Sequence, residues 1–328
     1  MREGLARPSE VAHIVSMNNS IRIASLISSA TEILFGLGLD EQTVAISHEC
    51  DYPPQWRRKT RLTVSHIDSS RPSAEINKQV QQFTETSSAL YGVDLPTLLT
   101  LKPDLIITQD QCEVCAVPLD DVLQIVNSHP ELQDTHVLTM NPISVSDVLN
   151  DIARIGKATD TSAQATSWIG QLQSRIHTVR GITENIPQAS RPRTLCIEWV
   201  DPVMLAANWT PELIEWAGGI NGLTKGGQHS QWCDWKQIIE FNPDLIIVSP
   251  CGFDLSRTLI EAQTLQTQPG WQKLNAVKTN RVFAVDGNAY LNRSGPRLVD
   301  TLEILASLFH ASVFPPIHTH AVCPLPVR

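Results

Sequence analysis

Two stretches decide the fold of this chain: Lys102-Pro103-Asp104-Leu105-Ile106-Ile107 and Asn242-Pro243-Asp244-Leu245-Ile246-Ile247. Each follows an amphipathic stretch, 98–101 in the first copy and 237–241 in the second, and each leads into a polar loop that carries cysteine. A repeat at this distance predicts two similar lobes rather than a solenoid, whose repeats recur about every 20–50 residues. Two lobes on one chain enclose a cleft, and ligands bind preferentially in such clefts.

The composition agrees with a two-domain globular protein. A chain of 328 residues with 42% apolar side chains can bury about two cores. The net charge is −9 and the longest basic run is Arg57-Arg58-Lys59, which argues against binding to nucleic acid. No stretch approaches the roughly 18 apolar residues of a membrane span. The segment 1–20 lacks the features of a secretory signal, so a cytosolic location is expected.

Strand-like and helix-like segments alternate along the chain, which predicts an α/β fold with parallel sheets covered by helices. Apolar positions from Ala165 to Val179 step by four and three residues, as on one face of a helix, and the polar segment 156–161 is a candidate interruption. The predicted organisation is an N-terminal extension (1–20), a first lobe (21–143), a connecting helical spine (144–186), a second lobe (187–312) and a loosely ordered tail rich in Pro and His (313–328).

Cysteine-bearing loops are the first candidate site. Seven cysteines, an odd number, favour free or metal-bound thiols over a disulfide framework. Cys112-x-x-Cys115 fits half of a zinc site completed by His48 and Cys50, or a redox dithiol. It is not a haem attachment motif, because Ala116 follows the second cysteine.

Tryptophans of the second lobe are the other candidate site. Trp199, Trp209 and Trp232 could face a large, partly apolar ligand, although packing within the lobe explains them as well. No G-x-S-x-G, H-E-x-x-H, Walker A or G-x-G-x-x-G motif is present, so we expect a binding protein rather than an enzyme.

Several motifs, in their order, resemble the class III substrate-binding proteins of ABC importers for cobalamin and iron siderophores. The resemblance covers about residues 21–310. It rests on both Pro-Asp-Leu-Ile-Ile copies and on these further stretches: Ser25-Leu26-Ile27-Ser28-Ser29-Ala30-Thr31-Glu32-Ile33, Asp51-Tyr52-Pro53-Pro54-Gln55, Gly218-Gly219 and Ser294-Gly295-Pro296-Arg297. It implies two Rossmann-like lobes joined by a long rigid helix, a ligand held in the cleft with little hinge closure, and a periplasmic location as the alternative to the cytosol.

The resemblance also implies site residues. Tyr52 takes the role of the tyrosine that contacts the corrin in the cobalamin binder, and the loop Asp286-Gly287-Asn288-Ala289-Tyr290 lines the cleft. This loop lacks the tryptophan and phenylalanine that the family carries there, so the correspondence is partial. Further ligand-binding candidates, in loops after predicted strands, are Ser28, Ser29, Asp51 and Asp110. Asp120, Asp121 and Asp254 are the candidates for docking to an ABC transporter permease.

Three functions follow from this sequence. The first is a monomeric, non-enzymatic carrier of cobalamin or a related corrinoid. The second is a binder of a transition-metal ion or of a metal chelate (siderophore, haem, zinc or an iron–sulfur centre) through His48, Cys50, Cys112 and Cys115, since thiolate and imidazole suit such metals. The third is a thiol-dependent enzyme that acts on a corrinoid with the C-x-x-C pair.

Overall fold

The first lobe is built on a five-stranded parallel sheet. The computed structural model of the protein describes residues 21–86, 89–110 and 116–326. The elements of this lobe are β1 (Ile23–Ser25), α1 (Ser28–Gly36), β2 (Thr43–Ile46), β3 (Thr60–Arg61), β4 (Thr63–Ser65), α2 (Ser73–Glu85), β5 (Tyr91–Val93), α3 (Leu95–Leu101), β6 (Leu105–Gln109), α4 (Leu119–Ser128) and β7 (His136–Met140). The sheet order is β3-β2-β1-β6-β7, and β4 and β5 form a separate antiparallel pair.

The second lobe follows two helices, α5 (Val145–Ala158) and α6 (Ser162–Thr183). Its elements are β8 (Arg193–Val200), β9 (Val203–Leu205), α7 (Thr210–Trp216), β10 (Ile220–Asn221), β11 (Gln231–Trp232), α8 (Trp235–Phe241), β12 (Leu245–Val248), α9 (Leu255–Glu261), α10 (Asn275–Lys278), β13 (Val282–Val285), α11 (Leu298–Phe309) and β14 (Val322–Pro324). The sheet order is β11-β9-β8-β12-β13-β14, with β10 paired to β8.

The sequence repeat folds in the same way in both lobes. The residue before each repeated proline has a left-handed backbone, with φ of 45° and 47°, and it ends the preceding helix. The aspartate that follows then caps the neighbouring strand: the Asp104 carboxylate accepts the backbone N–H of Arg22 at 2.7 Å, and Asp244 accepts that of Arg193 at 3.0 Å. This geometry, which both copies of the repeat share, aligns β6 beside β1 and β12 beside β8.

The second sheet is mixed rather than wholly parallel, which corrects the prediction. β8, β12 and β13 run parallel, but β9, β11 and β14 are antiparallel to their neighbours. Only residues 201–202 separate β8 from β9, and a connection that short can join only antiparallel strands. The tail, which was expected to be loosely ordered, supplies β14 at the sheet edge, where Pro324 is tolerated.

The spine between the lobes consists of two helices, and the predicted interruption lies between them. Asp160 adopts a left-handed backbone with φ of 57° in this turn. The longer helix, α6, touches both lobes. Trp168 packs so closely on Gly36 of α1 that a Cβ there would lie 2.1 Å from the indole ring. Arg175 forms ion pairs with Asp300 at 2.6 Å and with Glu303 on α11. The helix therefore fixes one side of each lobe.

None of the helices within residues 21–86, 89–110 and 116–326 has the length and apolar character that crossing a membrane requires.

Candidate functional site

Four charged side chains form ion pairs between the two lobes. Glu32 of α1 and Asp51 of the loop after β2 come from the first lobe, and Arg293 and Arg297 come from the second. Arg293 Nη1 lies 3.0 Å from Glu32 Oε1 and 2.6 Å from Asp51 Oδ1. Arg297 Nε donates to Glu32 Oε2 at 2.9 Å. We call these four residues the interlobe tetrad; its formal charges sum to zero.

The arginines are positioned by a tight turn after β13. Asp286 caps this turn by accepting the backbone N–H of Ala289 at 2.8 Å. Gly287 is required because a Cβ at this position would lie 2.2 Å from the Pro250 carbonyl oxygen. The turn projects Asn288 across the cleft, where its amide donates to Asp51 Oδ2 at 2.6 Å and accepts from Arg293 at 2.7 Å. The predicted loop 286–290 thus contacts the loop that carries Tyr52.

Aromatic rings surround Arg297. Its guanidinium lies 4.4 Å from the centroid of the Tyr52 ring and 5.5 Å from that of Tyr290. The Tyr52 ring meets Phe35 edge-on at 6.1 Å and remains 38% exposed, whereas Tyr290 is 6% exposed and bonds to His320 at 3.1 Å. Tyr52 therefore combines a fixed position with an accessible ring surface, while Tyr290 serves the packing of the turn.

Electrostatics keep the acidic groups of the first-lobe loop ionised. Burial alone would raise the pKa of Asp51, but the charge and hydrogen bond of Arg293 outweigh it and lower that pKa below its usual value. The imidazole of His48, whose Nε2 lies 3.1 Å from Glu49 Oε1, is the main reason that the pKa of Glu49 is lowered. His48 is itself held by Thr63, whose hydroxyl lies 2.6 Å from Nδ1.

The facing surface of the second lobe is aromatic and weakly polar. The Trp199 ring is half-buried and lies 5.3 Å from that of Phe253. Burial raises the pKa of Glu198, whose carboxyl accepts a hydrogen bond from Ser230. Burial likewise raises the pKa of the Cys251 thiol to about 12. This wall therefore favours uncharged forms of its ionisable groups.

A second contact closes the cleft away from the tetrad. Arg257 of α9 donates to the backbone carbonyl oxygens of Ser70, at 3.0 Å, and Arg71. Glu261 accepts the backbone N–H of Ser73 at 3.1 Å, at the start of α2. These bonds join the lobes in addition to the tetrad.

The structure does not support Cys50 as a metal ligand. Its side chain is 2% exposed within the apolar core, and its sulfur lies 3.0 Å from the Thr31 hydroxyl. Burial raises the pKa of the thiol to about 11, so the metal-binding thiolate is disfavoured. Cys112 and Cys115 lie outside the described residues.

One group of side chains within the described residues has the spacing of a metal site, and it lies outside the cleft. The ligand atoms of Asp300, Glu303 and His318 are all within 4.8 Å of one another. Arg175 forms ion pairs with both carboxylates, so a cationic group already occupies the position that a metal ion would take.

The remaining ligand candidates are dispersed. Trp209 is 5% exposed and donates to the Leu291 carbonyl at 2.8 Å, so it belongs to the core, which corrects its prediction as a ligand contact. Trp232 is 58% exposed on the edge strand β11. Asp110 is exposed beyond β6.

Ser28 and Ser29 begin α1 at the cleft. Ser29 is 1% exposed, and Gly295 of the second lobe packs against it, since a Cβ on that glycine would lie 3.6 Å from Ser29 Cα. Ser28 is more accessible than Ser29.

The predicted docking acids lie at equivalent places in the two lobes. Asp120 and Asp121 are in the first turn of α4, which follows β6, and Asp254 caps α9, which follows β12. β6 and β12 are the two strands of the sequence repeat. Asp120 and Asp254 are exposed.

Sequence reasoning missed the tetrad as a unit. Glu32 directly precedes the apolar run 33–35 of α1 and is 2% exposed, and a buried carboxylate of this kind requires a cationic partner. The two basic partners could also have been found in the second lobe, because Arg297 ends the Ser-Gly-Pro-Arg stretch and Arg293 precedes it. Nothing in the sequence alone identifies which acid meets which base.

Comparison with known proteins identifies the family. The model of the periplasmic binding protein family matches residues 23–289. The chain belongs to this family. An uncharacterized ABC transporter substrate-binding lipoprotein of Bacillus subtilis, YvrC, is 23% identical over 296 residues, with 89% of this chain and 81% of that protein covered. A vitamin B12-binding protein of Vibrio vulnificus is 21% identical and covers 88% of this chain and 89% of its own length.

A solved structure supports the fold. The periplasmic heme-binding protein RhuT from Roseiflexus, in its apo form, superposes with a TM-score of 0.67 at 22% identity and covers 90% of this chain and 99% of its own. The predicted two-lobed α/β fold is thereby confirmed. The family comprises substrate-binding components of ABC importers.

The expectation of a cytosolic protein is wrong. The matched family is one of periplasmic binding proteins, and its members above include a substrate-binding lipoprotein. Both point to a location outside the cytoplasm. The error came from treating the segment 1–20 as decisive.

Proposed function

We propose that this protein binds cobalamin or a related corrinoid in the cleft between its lobes and delivers it to an ABC transporter permease without catalysing a reaction. The main support for this proposal is the Tyr52 ring, which is 38% exposed and fixed between Phe35 and Arg297 at the point where the lobes meet. The family and the similarity to a vitamin B12-binding protein support the same ligand class.

The walls of the cleft suit a large ring with a polar rim. Tyr52 supplies an aromatic surface from the first lobe, and Trp199 with Phe253 supplies one from the second. Aromatic rings bury much area on a flat ligand at little entropic cost. Asn288 contacts Asp51 and the Phe253 backbone, and Ser28 at the start of α1 is partly exposed, so both are hydrogen-bonding groups that could meet the amides of a corrinoid rim.

Binding of so large a ligand requires that the lobes separate locally. In this structure the Asn288 amide bonds directly to Asp51, and Gly295 packs on Ser29. A corrinoid that lies on Tyr52 replaces the first of these contacts. The opening is local because α6 holds both lobes through Trp168 and Arg175 on the opposite side.

Docking to a permease is assigned in the same proposal to the exposed acids at the two helix starts. Each lobe offers acidic side chains to basic partners: Asp120 and Asp121 on the first lobe and Asp254 on the second. Their placement after equivalent strands supports a symmetric docking face.

The metal-ion alternative has less support. Its Cys50 ligand is buried in the core, where the raised pKa of the thiol favours the protonated form. The family membership favours a carrier over an enzyme that uses the C-x-x-C pair. We therefore favour the carrier.

The test is a titration of the reduced protein with hydroxocobalamin, followed by visible absorbance. Tyr52→Ala removes the ring, and Tyr52→Phe keeps it as the matched control. We expect saturable one-to-one binding, weakened about tenfold in Tyr52→Ala and retained in Tyr52→Phe, since a stacked ring is worth about 1–2 kcal/mol. Equal affinities in the wild type and Tyr52→Ala would reject the role of this ring.

A further inference from the structure

The interlobe tetrad places two arginines beside the ring that we assign to the ligand. Arg297 lies 4.4 Å from the Tyr52 ring centroid, and Arg293 is joined to Asp51, the residue before Tyr52, at 2.6 Å. An arginine pair in a cleft is ordinarily well suited to carboxylates, which guanidinium groups bind in a bidentate manner. The charge state of this pair therefore bears on which chelates the cleft accepts.

Both arginines are already neutralised from within the chain. Glu32 pairs with Arg293 and Arg297, and Asp51 pairs with Arg293. Arg293 is 6% exposed and Glu32 is 2% exposed, so water screens these charges little. Arg293 also donates from Nη2 to Asn288 at 2.7 Å, so three of its five N–H groups are used by Glu32, Asp51 and Asn288.

Neighbouring cations are also engaged. Arg61 donates to the backbone carbonyl oxygens of Ser47 and of Cys50, the latter at 2.7 Å, and Arg57 donates to that of Asp51 at 3.1 Å. These bonds keep both side chains on the first-lobe loop. On the second-lobe wall, burial raises the pKa of Glu198 and so favours its neutral form.

We infer that the Glu32–Arg293–Asp51–Arg297 tetrad selects neutral, amide-rimmed metal chelates and disfavours chelates that carry free carboxylates. Asp51 is the specificity-determining residue, since it occupies the position on Arg293 that a ligand carboxylate would need. An anionic chelate must displace Asp51, which leaves two negative charges facing one arginine, or it must bind beside an already neutral network. This inference deepens the proposed function and rests on the same cleft.

The experiment compares ligand pairs that share a ring and differ in the charge of its rim groups. The first pair is cyanocobalamin and a cyanocobalamin monocarboxylate, in which one rim amide is replaced by a carboxylate. The second pair is hemin and hemin dimethyl ester, in which both propionates are esterified. Affinities are measured by fluorescence quenching for the wild type, for Asp51→Asn, and for Asp40→Asn as the control. Asp40 is an exposed partner of Lys59, so its substitution changes the net charge equally but far from the tetrad.

We expect the wild type to bind the neutral member of a pair at least tenfold more tightly. The anionic member places an uncompensated charge near the tetrad, and tenfold weaker binding corresponds to about 1.4 kcal/mol. Asp51→Asn frees charge on Arg293 and should reduce this preference about tenfold, and Asp40→Asn should leave it unchanged. Equal or tighter wild-type binding of the anionic member would overturn the inference, as would equal selectivity in the two variants or no binding of any of the four chelates.

The ligand pairs separate this inference from the proposed function. If the wild type binds hemin dimethyl ester but no corrinoid, with preference for the ester over hemin, the corrinoid assignment fails and the charge selection stands. If both corrinoids bind with equal affinity, the corrinoid assignment stands and the charge selection fails. The wild-type comparison remains decisive even where Asp51→Asn does not fold.

Discussion

Replacement of Arg293 by methionine should destabilise the folded protein markedly. The substitution removes hydrogen bonds to Glu32 at 3.0 Å, to Asp51 at 2.6 Å and to Asn288 at 2.7 Å, all formed by a side chain that is 6% exposed. Each bond to a charged group is worth roughly 1.5–3 kcal/mol, but the burial cost of the guanidinium is relieved at the same time.

The net loss is set by the carboxylates that remain. Loss of one partner from a buried pair costs about 3–5 kcal/mol when the other charge is left uncompensated. Glu32 keeps Arg297 at 2.9 Å, and Asp51 keeps Asn288, so we place the loss near the lower limit, at about 3 kcal/mol. Urea unfolding followed by tryptophan fluorescence measures it.

The matched control is Lys236→Met, which removes an exposed cation 3.8 Å from Glu240. Such exposed pairs contribute about 0.5 kcal/mol or less. A free energy of unfolding for Arg293→Met within about 1 kcal/mol of this control would refute the account of the tetrad as a buried ionic link between the lobes.

Three further predictions concern single residues. Gly287→Ala should destabilise the protein by about 1–3 kcal/mol in thermal unfolding, because its Cβ would collide with the Pro250 carbonyl; an unchanged midpoint would contradict the required close approach. Iodoacetamide labelling at pH 8, mapped by mass spectrometry, should modify Cys323 much faster than Cys50, whose thiol is buried with a pKa of about 11; equal rates would contradict its core position. The stability difference between the wild type and Asp51→Asn should be constant above pH ~5 and decrease as the pH falls below it, because the folded-state pKa of Asp51 is lowered relative to the unfolded value of about 3.9; a difference that is no smaller at pH ~3 than at pH ~6 would show that the effect is not ionic.

The overall architecture was accessible from the sequence because it depends on local patterns. The two Pro-Asp-Leu-Ile-Ile copies encode a helix end, a strand start and a capping aspartate, and Asp104 and Asp244 perform that capping in both lobes. The antiparallel strands of the second sheet were missed because β9, β11 and β14 are only two or three residues long, too short for an alternating pattern to be recognised.

The site was only partly accessible for a different reason. The decisive contact joins Glu32 to Arg293, 261 positions apart in the chain, and no local periodicity encodes such a partner. Tyr52 and the loop 286–290 were placed on facing sides of the cleft through the family resemblance. For Cys50 the sequence predicted the position, in the loop after a strand, correctly. It could not predict that the side chain points into the core.

The most direct test of the central proposal is calorimetric titration of the purified wild-type protein with cyanocobalamin. The account predicts one corrinoid bound per chain, with a negative heat-capacity change from burial of Tyr52 and the facing aromatic wall. An absence of binding heat at several temperatures, with the protein shown to be folded, would contradict it.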